Sequence, residues 1–209
     1  IEPGEVYGTL TDGLCAELGC EPIPVIAVCT HDTASAVLAA PTDREMIYIS
    51  CGTWSLFGTE LSSPVITPES EKIQYTNEGG YENTTRFLKN IMGLWLEQES
   101  RRQWKREGVT VSFDELSAMA LASKPLQCFI DPDAPEFAPP GDEPRRIAEF
   151  CRRTGQYVPQ TKGEIVRCIF DSLALRYRWT AEKLEELTGK KYPVINIVGG
   201  GTKEEMLSQ

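Results

Sequence analysis

Three short segments carry residue types able to do chemistry, and each follows a strand-like run. His31-Asp32-Thr33 comes after Val25-Ile26-Ala27-Val28 and opens the alanine-rich stretch TASAVLAA, Thr33 to Ala40. A carboxylate at a helix start sits near the positive end of the helix dipole and stays ionised. Asp32 could then accept the proton of a hydroxyl or orient that hydroxyl for attack. An Asp-Thr helix cap, beside a histidine that fills a hydrogen-bond site, fits the same residues. Cys51-Gly52-Thr53 follows Met46 to Ser50 (MIYIS). Gly52 would let backbone N–H groups approach an oxyanion and Thr53 adds a hydroxyl, although strand-Gly-Thr turns are also common as plain structure.

Gly199-Gly200-Gly201 is the strongest of the three signals. Three consecutive glycines are entropically unfavourable unless the backbone must take positive φ or admit a ligand closely. The run matches neither G-x-G-x-x-G nor the Walker sequence, but a glycine turn leading into a helix suits phosphate or nucleotide. A fourth feature is the stripe Ile91, Leu94, Trp95, on which Gln98 falls, with Asn90 at its start. Polar groups facing a cleft need partners, which a ligand could supply. A helix N-cap at Asn90 and a stripe edge at Gln98 account for them equally well.

The elements that must position these residues alternate strand and helix. The periodicity predicts a buried strand at 25–28, a helix at 33–40, and a hairpin joining Met46–Ser50 to Trp54–Phe57. It further predicts a turn at Asn77–Gly80 and a strand Arg86–Lys89 running straight into a helix from Ile91 to about Glu107. Ser112 and Glu115 have capping-box spacing ahead of another helix. Residues 131–142 hold five prolines and glycines and read as an exposed loop. A helix follows from Pro144 to Thr154. A longer one runs from about Thr161 to Leu187, its apolar stripe made by Val166, Phe170, Leu173, Tyr177, Ala181 and Leu184. A last strand, Val194–Val198, leads through the glycines into a final helix. The class is α/β, with helices covering a sheet.

The composition narrows the partners. The chain has 209 residues, 41% apolar and 25% charged, with 31 acidic against 21 basic side chains and a formal charge of −10. An acidic chain whose basic pairs (Arg101-Arg102, Arg145-Arg146, Arg152-Arg153) sit beside acidic neighbours argues against nucleic acid. No apolar run approaches a membrane span and no signal peptide is evident, so a cytoplasmic protein is expected. Seven cysteines with irregular spacing, no C-x-x-C and a single histidine suggest reduced thiols rather than a metal set. Cys151 and Cys168, near the ends of two neighbouring helices, are a weak candidate pair. The first residue is Ile1 and the last three are Leu207-Ser208-Gln209, which suggests a fragment of a longer chain.

Taken together, the segments VIAVCTHDTASAV, YISCGTWSL, NEGG, FLKNIMGLWLEQ, RCIFDSLALRY and INIVGGG resemble the FGGY carbohydrate kinases, and among them the subfamily that acts on L-rhamnulose. They occur in family order over residues 25–201. The resemblance implies one lobe of a two-lobed, actin-like, ribonuclease-H-like ATPase, truncated at both ends, with the N-terminal lobe absent. Residues 1–24 would be a loosely matched lead-in and 25–209 the nucleotide- and sugar-binding core. It implies ATP and Mg2+ as cofactors, with a small ketose as partner and no stated oligomeric form. The expected reaction is transfer of the γ-phosphoryl group to the primary hydroxyl of L-rhamnulose, giving L-rhamnulose 1-phosphate and ADP.

By the same resemblance Asp32 would be the catalytic base, and His31, Thr33 and Asn90 would contact the sugar. Gly52, Thr53 and Gln98 would lie in the ATP site, with Gly199, Gly200 and Gly201 shaping the nucleotide turn. No protein metal ligand is assigned. Competing expectations are another ketose kinase, for fuculose or xylulose, a non-catalytic nucleotide-binding module of actin-like fold, and thiol chemistry pairing Cys51 with His31.

Overall fold

A β-branched run suits a pleated strand wherever it pairs, but pairing does not guarantee burial. The computed structural model describes residues 4–28, 32–40 and 45–208. It opens with an antiparallel ribbon of β1 (Val6–Thr9) and β2 (Pro24–Ile26), separated by α1 (Asp12–Leu18). The strand expected at 25–28 is therefore shorter and shifted, and it is not buried: Val25, Ile26 and Val28 are all exposed. A two-stranded ribbon has no second layer of its own to cover it. The helix expected from Thr33 is α2 (Asp32–Leu38), which begins one residue earlier and buries Thr33, Ala34 and Val37.

The hairpin is present as β3 (Met46–Cys51) and β4 (Trp54–Leu61). Along β3 the side chains alternate, as a strand buried on both faces requires. Ile47, Ile49 and Cys51 join the main core, while Tyr48 packs with Val37 and Leu88 in a smaller cluster on the other side. After α3 (Pro68–Lys72), β5 (Thr76–Gly79), β6 (Thr85–Met92) and β7 (Val194–Val198) complete a five-stranded sheet in the order β5-β6-β4-β3-β7. Only β3 and β7 are parallel, with Met46 opposite Val194 and Ser50 opposite Val198. Both therefore run to the same edge of the sheet.

The main core lies between this sheet and α4 (Trp95–Arg106), α5 (Phe113–Ala122), α6 (Glu143–Arg153) and α7 (Lys162–Thr188). The Ser112–Glu115 capping box forms at the start of α5, and Thr161–Glu164 forms another at the start of α7. On α7 the expected stripe is seated: Val166, Phe170, Leu173, Tyr177 and Leu184 are buried and Ala181 is partly so.

Three expectations are corrected. Asn77–Gly80 is not simply a turn, because Thr76–Gly79 pairs with β6 as an edge strand. Glu78 sits opposite Arg86 and forms an ion pair with it at 2.7 Å, and the Asn77 amide bonds both backbone groups of Val65. The helix expected from Ile91 starts at Trp95, and Asn90 and Ile91 belong to β6. The break falls at Gly93, where a Cβ would lie 2.6 Å from Ser55 Oγ and 2.8 Å from the Gly52 carbonyl oxygen. Finally, the glycine turn enters a 3-10 turn, Gly200–Lys203, before the short α8 (Glu205–Ser208), rather than leading directly into a helix.

Candidate active site

Because β3 and β7 end together, the Cys51–Gly52–Thr53 and Gly199–Gly200–Gly201 turns stand side by side. A cleft of about 580 Å3 opens there, lined by Asp32 and Thr33 from the start of α2, Asn90 from β6, Gly52, Gly199 and Gly200, with Trp54 and Leu56 as apolar walls. Residues far apart in sequence thus share one opening at the ends of parallel strands, where ligands of α/β sheets characteristically bind. Asp32 is exposed at its mouth, and its Oδ1 accepts a hydrogen bond from the Thr33 backbone N–H at 2.7 Å. This bond to the next residue and the cleft-facing position coexist. Asn90 is exposed opposite Leu56 on β4.

The three glycines divide their work. Gly199 has φ of +90°, and a Cβ there would lie 2.7 Å from the Cys51 carbonyl oxygen. At Gly201 a Cβ would come within 2.2 Å of Cys51 Sγ. These two glycines let the turns touch. Gly200 has nothing within 4 Å of an added Cβ, so its backbone is the part open to a ligand.

Thr53, Gln98 and Gly201 do not line the cleft. Thr53 Oγ1 instead donates to Gln98 Oε1 at 3.2 Å. The carbonyls of Gly52 and Thr53 accept from the N–H groups of Leu94 and of Gly93 and Trp95, which satisfies amides at the start of α4. Thr53 and Gln98 therefore form one patch beside the cleft, on the side of α4. His31 lies outside the described residues.

Several supporting residues escaped the sequence reading. Ser55 Oγ and Tyr177 OH are 2.5 Å apart, and both approach Cys51 Sγ at 3.7 Å, so α7 braces the turn from below. Burial pushes the Tyr177 phenol up, and the neighbouring Cys51 adds to this. Cys51 is 2% exposed and enclosed by these partners, which is the environment of a packing thiol. Asp133, from the Pro-rich loop, accepts from the Met92 N–H at 2.9 Å and pairs with Arg176 at 2.5 Å, which ties the end of β6 to α7. Only Tyr177 had a visible signal, as a hydroxyl on an otherwise apolar stripe. The neighbour of Gln98, Glu97, is buried with its Oε1 lacking a hydrogen-bond partner. Burial and then the charge of Glu204 push its carboxyl up to about 8.

Such a site, with glycine backbone on one wall and a carboxylate, a hydroxyl and an amide on the other, suits a polyanion and a polyol together. Residues 47–209 match the C-terminal domain of the FGGY family of carbohydrate kinases, and the chain belongs to that family. Over its whole length it is 49% identical to a rhamnulokinase of Bacteroides thetaiotaomicron, 42% identical to one of Enterococcus faecalis and 40% identical to one of Bacillus subtilis. It spans about 42% of the length of each of these curated relatives. Among solved structures it superposes on a ligand-bound xylulose kinase from Lactobacillus acidophilus with a TM-score of 0.68 at 18% identity, covering 99% of this chain and 41% of that one. A Plasmodium falciparum glycerol kinase with ADP gives 0.67 at 14% identity, covering 100% of this chain and 40% of that one. The fold is the α/β, actin-like ATPase fold of these kinases. No helix among the described residues is long and apolar enough to cross a membrane.

Proposed function

We propose that this chain is the nucleotide- and sugar-binding part of a cytoplasmic kinase that transfers the γ-phosphoryl group of ATP to the primary hydroxyl of L-rhamnulose. The products are L-rhamnulose 1-phosphate and ADP. One observation carries the reading: Asp32, Thr33 and Asn90 share a cleft with Gly52, Gly199 and Gly200. Identity to rhamnulokinases along the whole chain supports the choice of sugar.

Each residue has a role that its position suits. Asp32, exposed at the mouth, takes the proton of the attacking hydroxyl as the oxygen bonds to phosphorus. Thr33 and Asn90, with His31, hold the other hydroxyls of the sugar. The open backbone of Gly200 and the Gly52 turn face the phosphates. Thr53 and Gln98 lie on the flank toward the nucleotide, with Gly199 and Gly201 keeping the turn in place. Mg2+, when bound, neutralises phosphate charge. Among the described residues the cleft offers Asp32 as its one lining carboxylate, which fits an ion that keeps most of its waters and phosphate ligands. Little covalent chemistry falls to the protein, and the rate comes from positioning and electrostatics.

The test is ketose-dependent ADP release by the intact protein, including any sequence flanking these residues. L-Rhamnulose would be compared with L-fuculose, D-xylulose and glycerol. Turnover on L-rhamnulose that vanishes in Asp32→Asn while ATP still binds is the expected result. A preference for fuculose or xylulose would replace the sugar and keep the kinase. ATP binding with no turnover on any sugar would leave a nucleotide-binding module instead.

A further inference from the structure

Among the described residues, the part of β6 that carries Asn90 has a strand neighbour on one side only. β4 pairs with β6 as far as Met92, opposite Trp54, whereas β5 pairs with it only as far as Leu88, opposite Thr76. Beyond Leu88, side chains take over. Asp133 Oδ1, from the Pro-rich loop, accepts from the Met92 N–H at 2.9 Å. Lys89, 2% exposed, donates through Nζ to the Ile73 carbonyl at 3.0 Å, just ahead of β5. Asn90 lies between these two anchors and lines the cleft. We propose that Asp133, paired with Arg176 of α7, is a positioning residue for the sugar, holding the end of β6 so that the Asn90 amide meets the ketose hydroxyls. This inference rests on the reading of the cleft given above.

The network supplies direction more than bulk stability. A partly buried ion pair adds little net stability, because desolvation offsets its attraction. Asp133 Oδ2 accepts from both Nε and Nη2 of Arg176, at 3.0 and 2.5 Å, which leaves Oδ1 for Met92. Both carboxylate oxygens are therefore committed. The Arg176 guanidinium lies over the Trp179 ring, 4.8 Å from its centroid, which fixes its plane. The loop is held as well. The Asp133 N–H donates to Asp131 Oδ1 at 3.1 Å, and Trp95 Nε1 on α4 donates to the Phe137 carbonyl at 3.1 Å. Burial lowers the Lys89 ammonium, and the Asp133 charge opposes that fall, so the two anchors support each other.

The path to the sugar is short, since Met92 is two residues from Asn90 along one strand. A misplacement of about 1 Å is enough to spoil a productive geometry. The Gly52 turn on the phosphate side has supports of its own in Ser55, Tyr177 and the close approach of Gly199 to Cys51. Loss of Asp133 should therefore be felt by the ketose and not by ATP.

The experiment is steady-state kinetics of the intact protein, with ATP and L-rhamnulose (or the ketose preferred in the comparison above) varied separately. Asp133→Ala should raise the ketose KM about tenfold and leave the ATP KM within about twofold. Asn90→Ala should raise the ketose KM too, and the double variant should be no worse than the worse single one, because both act through one amide. Glu136→Ala, which removes the exposed pair with Arg153 in the same loop, should change neither KM. Circular dichroism checks folding. Arg176→Gln, which leaves the Asp133 carboxylate in place, should show the same split on a smaller scale if Asp133→Ala does not fold. A fall in kcat with both KM values unmoved would mean a merely structural role and overturns the proposal, as does a double variant in which the two effects multiply. A protein that turns over no ketose sinks the reading of the cleft and this inference with it. An active kinase whose ketose KM ignores Asp133 sinks this inference alone.

Discussion

The cleft at the strand ends has bare backbone along one wall, where glycines let two turns touch, and side chains from α2, β4 and β6 along the others. A smaller cavity, of about 150 Å3, is built of side chains from the segments after α5 and α6 and from α7. In the first, adding atoms at Gly199 or Gly201 does harm. The cleft leaves main chain open at Gly200, whereas the cavity beside Cys128 and Cys168 is walled by side chains.

The largest expected effect sharpens the side-chain half of the cleft. Asp32→Asn in the intact protein should lower kcat about 1,000-fold with little change in ATP affinity, as removal of a general base does. Steady-state kinetics alongside nucleotide titration would measure both. If kcat survives, Asp32 is not the base, and no carboxylate among the described residues of the cleft replaces it.

Next come the glycines. Gly199→Ala and Gly201→Ala should both lower thermal stability, because the new Cβ meets Cys51 at 2.7 and 2.2 Å. Gly200→Ala should leave the melting temperature alone and raise the KM for ATP, roughly tenfold, by crowding the ligand. Equal melting temperatures in all three variants would undo the division of labour between these residues.

A third test separates burial from site chemistry. The Glu97 carboxyl rises from 4.5 to about 8 on folding, and burial lifts Glu143 to about 8 as well, against the pull of Arg146. Between about pH 4.5 and 8 the folded chain holds protons that the unfolded chain has lost, so stability falls as pH rises through that window. Glu97→Gln should flatten the fall and stabilise the protein at pH 9, on the order of 3 kcal/mol. Denaturant midpoints at pH 5 and pH 9 give the answer, and an unchanged slope would show that Glu97 is solvated. The smallest effect belongs to Tyr177→Phe, which breaks the contact with Ser55 at a cost of about 1 kcal/mol. Urea unfolding would register it, and a neutral result would mean that ring packing alone seats the turn.

Legibility in the sequence divided along the same line. The hairpin, α7 and β7 were readable because alternation and helical stripes are local patterns. One wall of the cleft was readable because the Cys51–Thr53 and Gly199–Gly201 turns each follow a strand, and parallel ends collect such turns, whereas Asn90 lies inside β6. What escaped depended on distant partners. Thr76–Gly79 looks like a turn until Arg86 and Val65 are opposite it. Ile91, Leu94 and Trp95 carry helical spacing, yet the crowding around Gly93 ends a strand among them. Val25 and Ile26 have strand propensity, which says nothing of what covers them. The meeting of Cys128 with Cys151 and Cys168, whose sulfurs lie within 4.8 Å of one another, had no signature, because no short spacing joins all three.

Helix α7 touches both cavities: Cys168 belongs to one, and nine residues later Tyr177 supports the other. At 1.5 Å per residue these points are about 13.5 Å apart on a single rod. Phe170 and Leu173, both buried, lie between them. Amide protons along this stretch should therefore exchange only through a shared opening event, so that a ligand in the cleft would slow exchange as far along α7 as Cys168.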